Sequence, residues 1–216
     1  MSPDFTRAAL KASEMLIKYS IRSSPVSPLP ILQQMDNVLV TSFEEMSEAR
    51  DIMQSDLLDL FGKRRDAVTS MHEKDGSRFY VVAYNSVLPV YIVQHALARE
   101  LGHIALGHGT RSEEHEKEAL CFASHLLCPR PLIHAIQATN IRLTKDILAQ
   151  MTGFLEQDLI DLRKTPGTSV PASMNRFIRG QFIPFFVNFF QYFQCVMPDD
   201  GSAIADLGTY MDQYEE

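Results

Sequence analysis

Apolar and polar positions change their spacing several times along the chain, and each change predicts an element. Leu10, Ser13, Glu14, Ile17 and Ile21 fall along one side of a helical wheel. The helix they predict stops before Ser23-Ser24-Pro25-Val26-Ser27-Pro28-Leu29-Pro30, a loop of polyproline character. Residues 31–35 read as a short helix, 38–41 as a strand, and 43–60 as a helix ending near Gly62. Residues 66–71 and 78–84 are β-prone runs around His72-Glu73-Lys74-Asp75-Gly76-Ser77, and the Asp-Gly pair predicts an antiparallel hairpin.

After a turn at 85–89, residues 91–106 carry the spacing of a buried helix closed by Gly107 and Gly109, and a second helix is expected over 113–127. Cys128-Pro129-Arg130-Pro131 then breaks the chain, because proline donates no amide hydrogen and disfavours a helical predecessor. Near the C-terminus, Phe182, Phe185, Phe186, Phe189, Phe190 and Phe193 recur at helical spacing, with Pro184 in the first turn and Asn188 and Gln191 opposite. Burial of this face on the preceding domain is the default expectation; the alternative is a homodimer or partner groove formed by the 182–193 helix. The acidic end, residues 199–216, reads as a solvated tail.

Composition narrows the function classes. With 216 residues and 45% hydrophobic content, the chain can bury one generous core. A formal charge of −7 disfavours phosphate backbones, so nucleic acid is not an expected partner. Three cysteines, Cys121, Cys128 and Cys195, do not make a disulfide framework and point to a reducing, cytoplasmic setting. The N-terminal 21 residues are interrupted by charges, unlike a signal peptide, and the most apolar segment, 182–197, is short for a membrane span, so no membrane association is expected.

One segment carries chemistry. Zinc peptidases place His-Glu-x-x-His on a helix because residues four apart share a face: two imidazoles reach one metal while the glutamate polarises the bound water. Here Ala98-Arg99-Glu100-Leu101-Gly102-His103-Ile104-Ala105-Leu106-Gly107-His108 has the glutamate at Glu100 and the second histidine at His103, but Arg99 at the first position. A short loop later comes Glu118-Ala119-Leu120-Cys121-Phe122-Ala123-Ser124-His125-Leu126-Leu127-Cys128-Pro129.

These two motifs, in this order, resemble the ImmA/IrrE metallopeptidase family, whose helix reads close to A-H-E-L-G-H-x-x-L-G-H and is followed by E-A-x-x-F-A-x-x-L-L-x-P. The likeness extends loosely to Pro28-Leu29-Pro30-Ile31, to the hairpin, and to a helical stretch reaching about Lys164; beyond Pro166 none is recognised. The resemblance implies a zincin-like domain over 1–165, followed by an aromatic helix and acidic tail over 166–216 that pack on it. It implies His103 as second zinc ligand, Glu118 as third and Glu100 as catalytic base. It further implies a cytoplasmic, mobile-element-associated protein whose relatives cleave helix-turn-helix repressors.

Arg99 breaks that pattern. A guanidinium stays protonated and offers no lone pair, so it cannot coordinate zinc, whereas a catalytic zinc needs three protein ligands and an open position. Three substitutes come into view. His95 shares the face of His103 but lies two turns, about 12 Å, away. Cys121 and His125 form an i, i+4 pair that could add a thiolate and an imidazole, against the commoner role of a buried cysteine as a small hydrophobe. His108 is expected at the helix C-terminus, where its charge or hydrogen bonding suits the dipole. The competing reading is that the Arg99 charge replaces the missing cation, pairing with Glu100 or Glu118. The fold would then persist without the chemistry, and no metal would be held.

A helix-turn-helix spacing at Ala149, Gly153 and Leu159 would present Glu156, Asp158 and Asp161 with only Arg163 and Lys164 as cations, which suits a packing helical pair better than a DNA reader. The expected architecture is α+β: a small antiparallel sheet against the two motif helices, with a largely helical C-terminal part. The expected function is a weakened or inactive zinc-peptidase-type protein acting on a repressor. The alternative is a non-catalytic regulator that holds a partner in the old substrate groove or on the phenylalanine helix.

Overall fold

The computed structural model describes residues 2–51, 53, 66–137 and 170–196. Among these the chain is α+β: eight helices and one three-stranded sheet. The expected 52–60 portion of a long third helix, the 143–164 helical pair and the acidic tail lie outside the described residues.

Helix α1 (Phe5–Lys18) starts where the Asp4 side chain accepts the Arg7 N–H. Its buried face is Ala8, Ala9, Ala12, Ser13 and Leu16, so the stripe through Leu10, Glu14 and Ile17 is only half-buried. Alanines bring two helix axes close, and this face packs on α5, described below. Helix α2 (Pro28–Gln33) begins three residues before the expected position, because Pro28 occupies a first-turn site where its missing N–H costs nothing. Strand β1 (Val38–Ser42) runs directly into α3 (Phe43–Arg50) through a capping box, with Ser42 and Glu45 each satisfying the other's backbone N–H.

Strands β2 (Ala67–Lys74) and β3 (Ser77–Tyr84) form the expected hairpin, and pairing runs to its tip because Asp75 (φ 53°) and Gly76 (φ 74°) make a two-residue turn. The sheet order is β1-β3-β2. It is mixed and not antiparallel throughout, since β1 pairs parallel to β3 with Val38 opposite Tyr80. Tyr80 and Val82 of the central strand turn into the core.

Helix α4 (Val90–Ala105) lies against β2 and β3, α5 (Glu113–Leu127) packs on α4, and α1 packs on the far side of α5. The α4–α5 approach depends on Gly102, where a Cβ would lie 3.1 Å from the Ala119 carbonyl oxygen and 3.1 Å from Phe122 Cδ1. After a 42° bend at Cys128-Pro129, α6 (Arg130–Gln137) continues the direction change that the prolines predict. Helix α7 (Ala172–Gln181) packs on α6 and α1, and α8 (Ile183–Val196) follows. Phe182 and Phe186 are buried in the main core, with Phe185 and Phe189 packed against it, so these four side chains follow the core-burial expectation. The side chains of residues 190–196 lie outside the description. No single described helix is long and apolar enough to cross a membrane.

Candidate functional site

The motif residues converge where the sheet, the C-terminal half of α4 and the N-terminal half of α5 meet. Glu100 is fully buried on α4. One carboxylate oxygen accepts from Arg99 Nη2 at 3.1 Å and the other from Arg111 Nη2 at 2.7 Å. Arg99 also pairs with Asp66 at 3.1 Å, just before β2 begins, and donates to the Ala67 carbonyl. Arg111 reaches on to Glu116 at 3.4 Å. The result is an alternating chain, Asp66–Arg99–Glu100–Arg111–Glu116, in which the buried carboxylate is neutralised from both sides.

Burial works against the Arg99 charge, but the facing carboxylates of Asp66 and Glu100 outweigh it and raise its pKa above the ordinary arginine value. Burial likewise raises Asp66, and the Arg99 charge and hydrogen bonds overcome it, leaving that carboxyl below its usual range. Arg99 therefore takes the counter-ion role expected of it, with Glu100 and Asp66 as its partners and not Glu118.

A second chain begins at His103. Leu106 ends α4, and Gly107 (φ 68°) reverses the backbone so that Gly107 N–H donates to the Ile104 carbonyl and His108 N–H to the His103 carbonyl. That closure folds His108 back over His103, with the two Nδ1 atoms 3.0 Å apart. His108 Nε2 lies 3.0 Å from a Glu118 oxygen, while the other Glu118 oxygen accepts the Asp4 N–H at 2.8 Å. Glu118 thus pins the start of α1 to α5. Desolvation raises its pKa, but the Asp4 N–H and His108 outweigh that and hold it below the usual carboxylate value.

Burial, helped by the stacked His115 ring and Arg7, keeps the His108 pKa below the ordinary histidine value despite Glu118. A neutral His108 donates through Nε2 to Glu118 and accepts from His103 through Nδ1. His108 is therefore a neutral bridge between the two motif helices. The expected helix-terminal charge is not what the geometry uses. His103 Nε2 faces Glu116 Oε1 at 3.3 Å. A small cleft of about 140 Å³ opens onto His103, His108 and Arg111 from beneath Thr69, Met71 and Tyr80.

The zinc shell implied for this segment can be compared with these placements. His103 and Glu118 are each next to His108, but on opposite nitrogens of its ring, so their donor atoms do not share a focus. Among the described residues no three His, Cys, Asp or Glu side chains converge as a metal-binding group. The substitutes do not supply one. Cys121 Sγ faces the Phe5 carbonyl at 3.7 Å, and burial pushes its pKa up to about 11. His125 lines a separate cavity with Arg130 and is driven down to about 4, mainly by burial. His95 stays two turns before His103 on α4. The donor set as arranged is a hydrogen-bonded chain and does not fit a three-ligand zinc.

Arg111 and the bridging role of His108 were not anticipated. The signal for His108 was present in Gly107, whose position after the helix sets up the reversal. Arg111 carried none, because nothing in its loop marks a partner eleven residues earlier. Comparison with protein-family models, with curated proteins and with solved structures finds no match.

Proposed function

We propose that the chain is a degenerate zinc-peptidase-type protein of the ImmA/IrrE kind, whose motif helices persist as a scaffold for a protein partner while the hydrolytic apparatus is disarmed. The observation that carries this reading is the clamp on Glu100. A general base must reach the water it activates and take up its proton. Glu100 is instead fully enclosed, with each oxygen committed to a different guanidinium. Arg99 fills the place of the first imidazole, and two fixed cations make the site self-sufficient in charge.

The family resemblance supplies the partner class: a helix-turn-helix repressor that is held and not cut. Burial of Phe182 and Phe186 favours the groove beside the motif helices over the phenylalanine face as the place where it is held. The test is hydrolysis of fluorescein-labelled casein in added zinc by the unaltered protein, by Arg99→His, and by Arg99→His with Arg111→Ala. The expected result is no chelator-sensitive cleavage by the unaltered protein. Chelator-sensitive cleavage that disappears in Glu100→Gln would overturn the reading.

A further inference from the structure

At the other end of α5 the chain builds a second, chemically distinct site. His125 lies seven residues, about 10 Å, beyond Glu118 along the helix. It faces a cavity of about 310 Å³ enclosed by α1, α5, α6 and α7. Three guanidiniums, from Arg130, Arg176 and Arg179, line it together with His134 and Ser13, and no carboxylate does so among the described residues. Leu16, Val170 and Ile178 supply apolar wall between the cations.

A chain of net charge −7 has carboxylates to spare. Gathering three arginines around one hollow without a carboxylate in its lining sets like charges against one another, and a bound anion relieves that repulsion. The two elements that bring them together do so for structural reasons. Pro129 and Pro131 fix the bend that points Arg130 inward, and the i, i+3 spacing of Arg176 and Arg179 puts both on one face of α7. Planar guanidinium forks match phosphate oxygens, and the cavity is at the small end of the range for small-molecule sites.

We propose that this cavity binds a small organic phosphate, with Arg130, Arg176 and Arg179 holding the phosphate and the Leu16–Val170–Ile178 wall taking the organic part. The site is independent of the motif helices' function. It makes the protein a ligand-responsive one, because α1, which forms a wall, also carries the Asp4 N–H that holds Glu118.

Isothermal titration with adenosine 5′-monophosphate tests it, with inorganic phosphate and adenosine as companions and thermal unfolding as the second readout. The expected results are saturable binding of the monophosphate, weaker binding of inorganic phosphate, and none of adenosine. Loss of one charge-assisted contact weakens binding about tenfold or more, so Arg176→Gln/Arg179→Gln should lower affinity about a hundredfold while keeping the unliganded melting temperature. Both substituted residues are at least partly exposed, which keeps the variant foldable. No binding or thermal shift from either phosphate at millimolar concentration would overturn the proposal. So would equal binding by the double variant, or binding of adenosine as tight as that of its monophosphate.

Discussion

Replacing Glu100 by glutamine separates a structural counter-ion from a catalytic base. Glutamine keeps the volume and one accepting oxygen but removes the charge that two guanidiniums share. Arg99, 15% exposed at its side chain, keeps Asp66 at 3.1 Å; Arg111, 30% exposed, keeps Glu116 at 3.4 Å and can turn toward water. Removing one member of a buried pair costs about 3–5 kcal/mol when the remaining charge has no other recourse. The surviving partners reduce that here to about 2–3 kcal/mol, which for a chain of this size lowers the melting temperature by roughly 5–10 °C. The assay is urea unfolding and thermal melting of the variant, alone and combined with Arg99→Met. The two positions should couple by about 1–3 kcal/mol in the double-mutant cycle. A melting temperature within about 1 °C of the parent, with additive effects, would refute the clamp, because a base held free for chemistry is dispensable to the fold.

Further outcomes follow from other parts of the structure. Gly102→Ala places a methyl 3.1 Å from the Ala119 carbonyl oxygen, which cannot step aside, so α4 and α5 must part; urea unfolding should show a loss of about 1–3 kcal/mol, and no loss would mean the helices are not so closely packed. Gly107→Ala strains a left-handed position by about 1–2 kcal/mol and shifts His108 from His103, readable as a change in the histidine ring resonances by NMR. His125 is depressed from 6.5 to about 4, mainly by burial and then by Arg130, so it stays neutral in the folded chain while the unfolded chain takes up a proton. Its stabilising contribution is complete above about pH 6.5 and falls away toward pH 4, by about 3 kcal/mol over the window. A His125→Gln variant should therefore show a flatter stability profile across that range, and an unchanged slope would contradict the assignment.

Much of the site-bearing helix pair was legible in the sequence, and the reasons are local. The bounds of α5 follow from Ser112, whose side chain accepts the His115 N–H, and from the break at Cys128-Pro129. The end of α4 follows from Gly107, and the hairpin from Asp75-Gly76. The buried face of α1 was misread because alanine carries little hydropathy signal and is selected there for close approach. The direction of β1 relative to β3 depends on how the chain returns to the sheet, which no local pattern records. Arg99's loss of metal-binding capacity was plain from its chemistry. Its real partners were not, because Asp66 comes to it across the sheet and Arg111 comes from the α4–α5 turn to complete the clamp on Glu100.

The most direct test of the central claim is metal content by mass spectrometry on tag-free protein after equilibration with zinc, alongside Arg99→His. The account predicts no stoichiometric zinc in the unaltered protein, with zinc gained by the variant as an imidazole returns beside His103. Stoichiometric zinc in the unaltered protein, lost in His103→Ala, would contradict it.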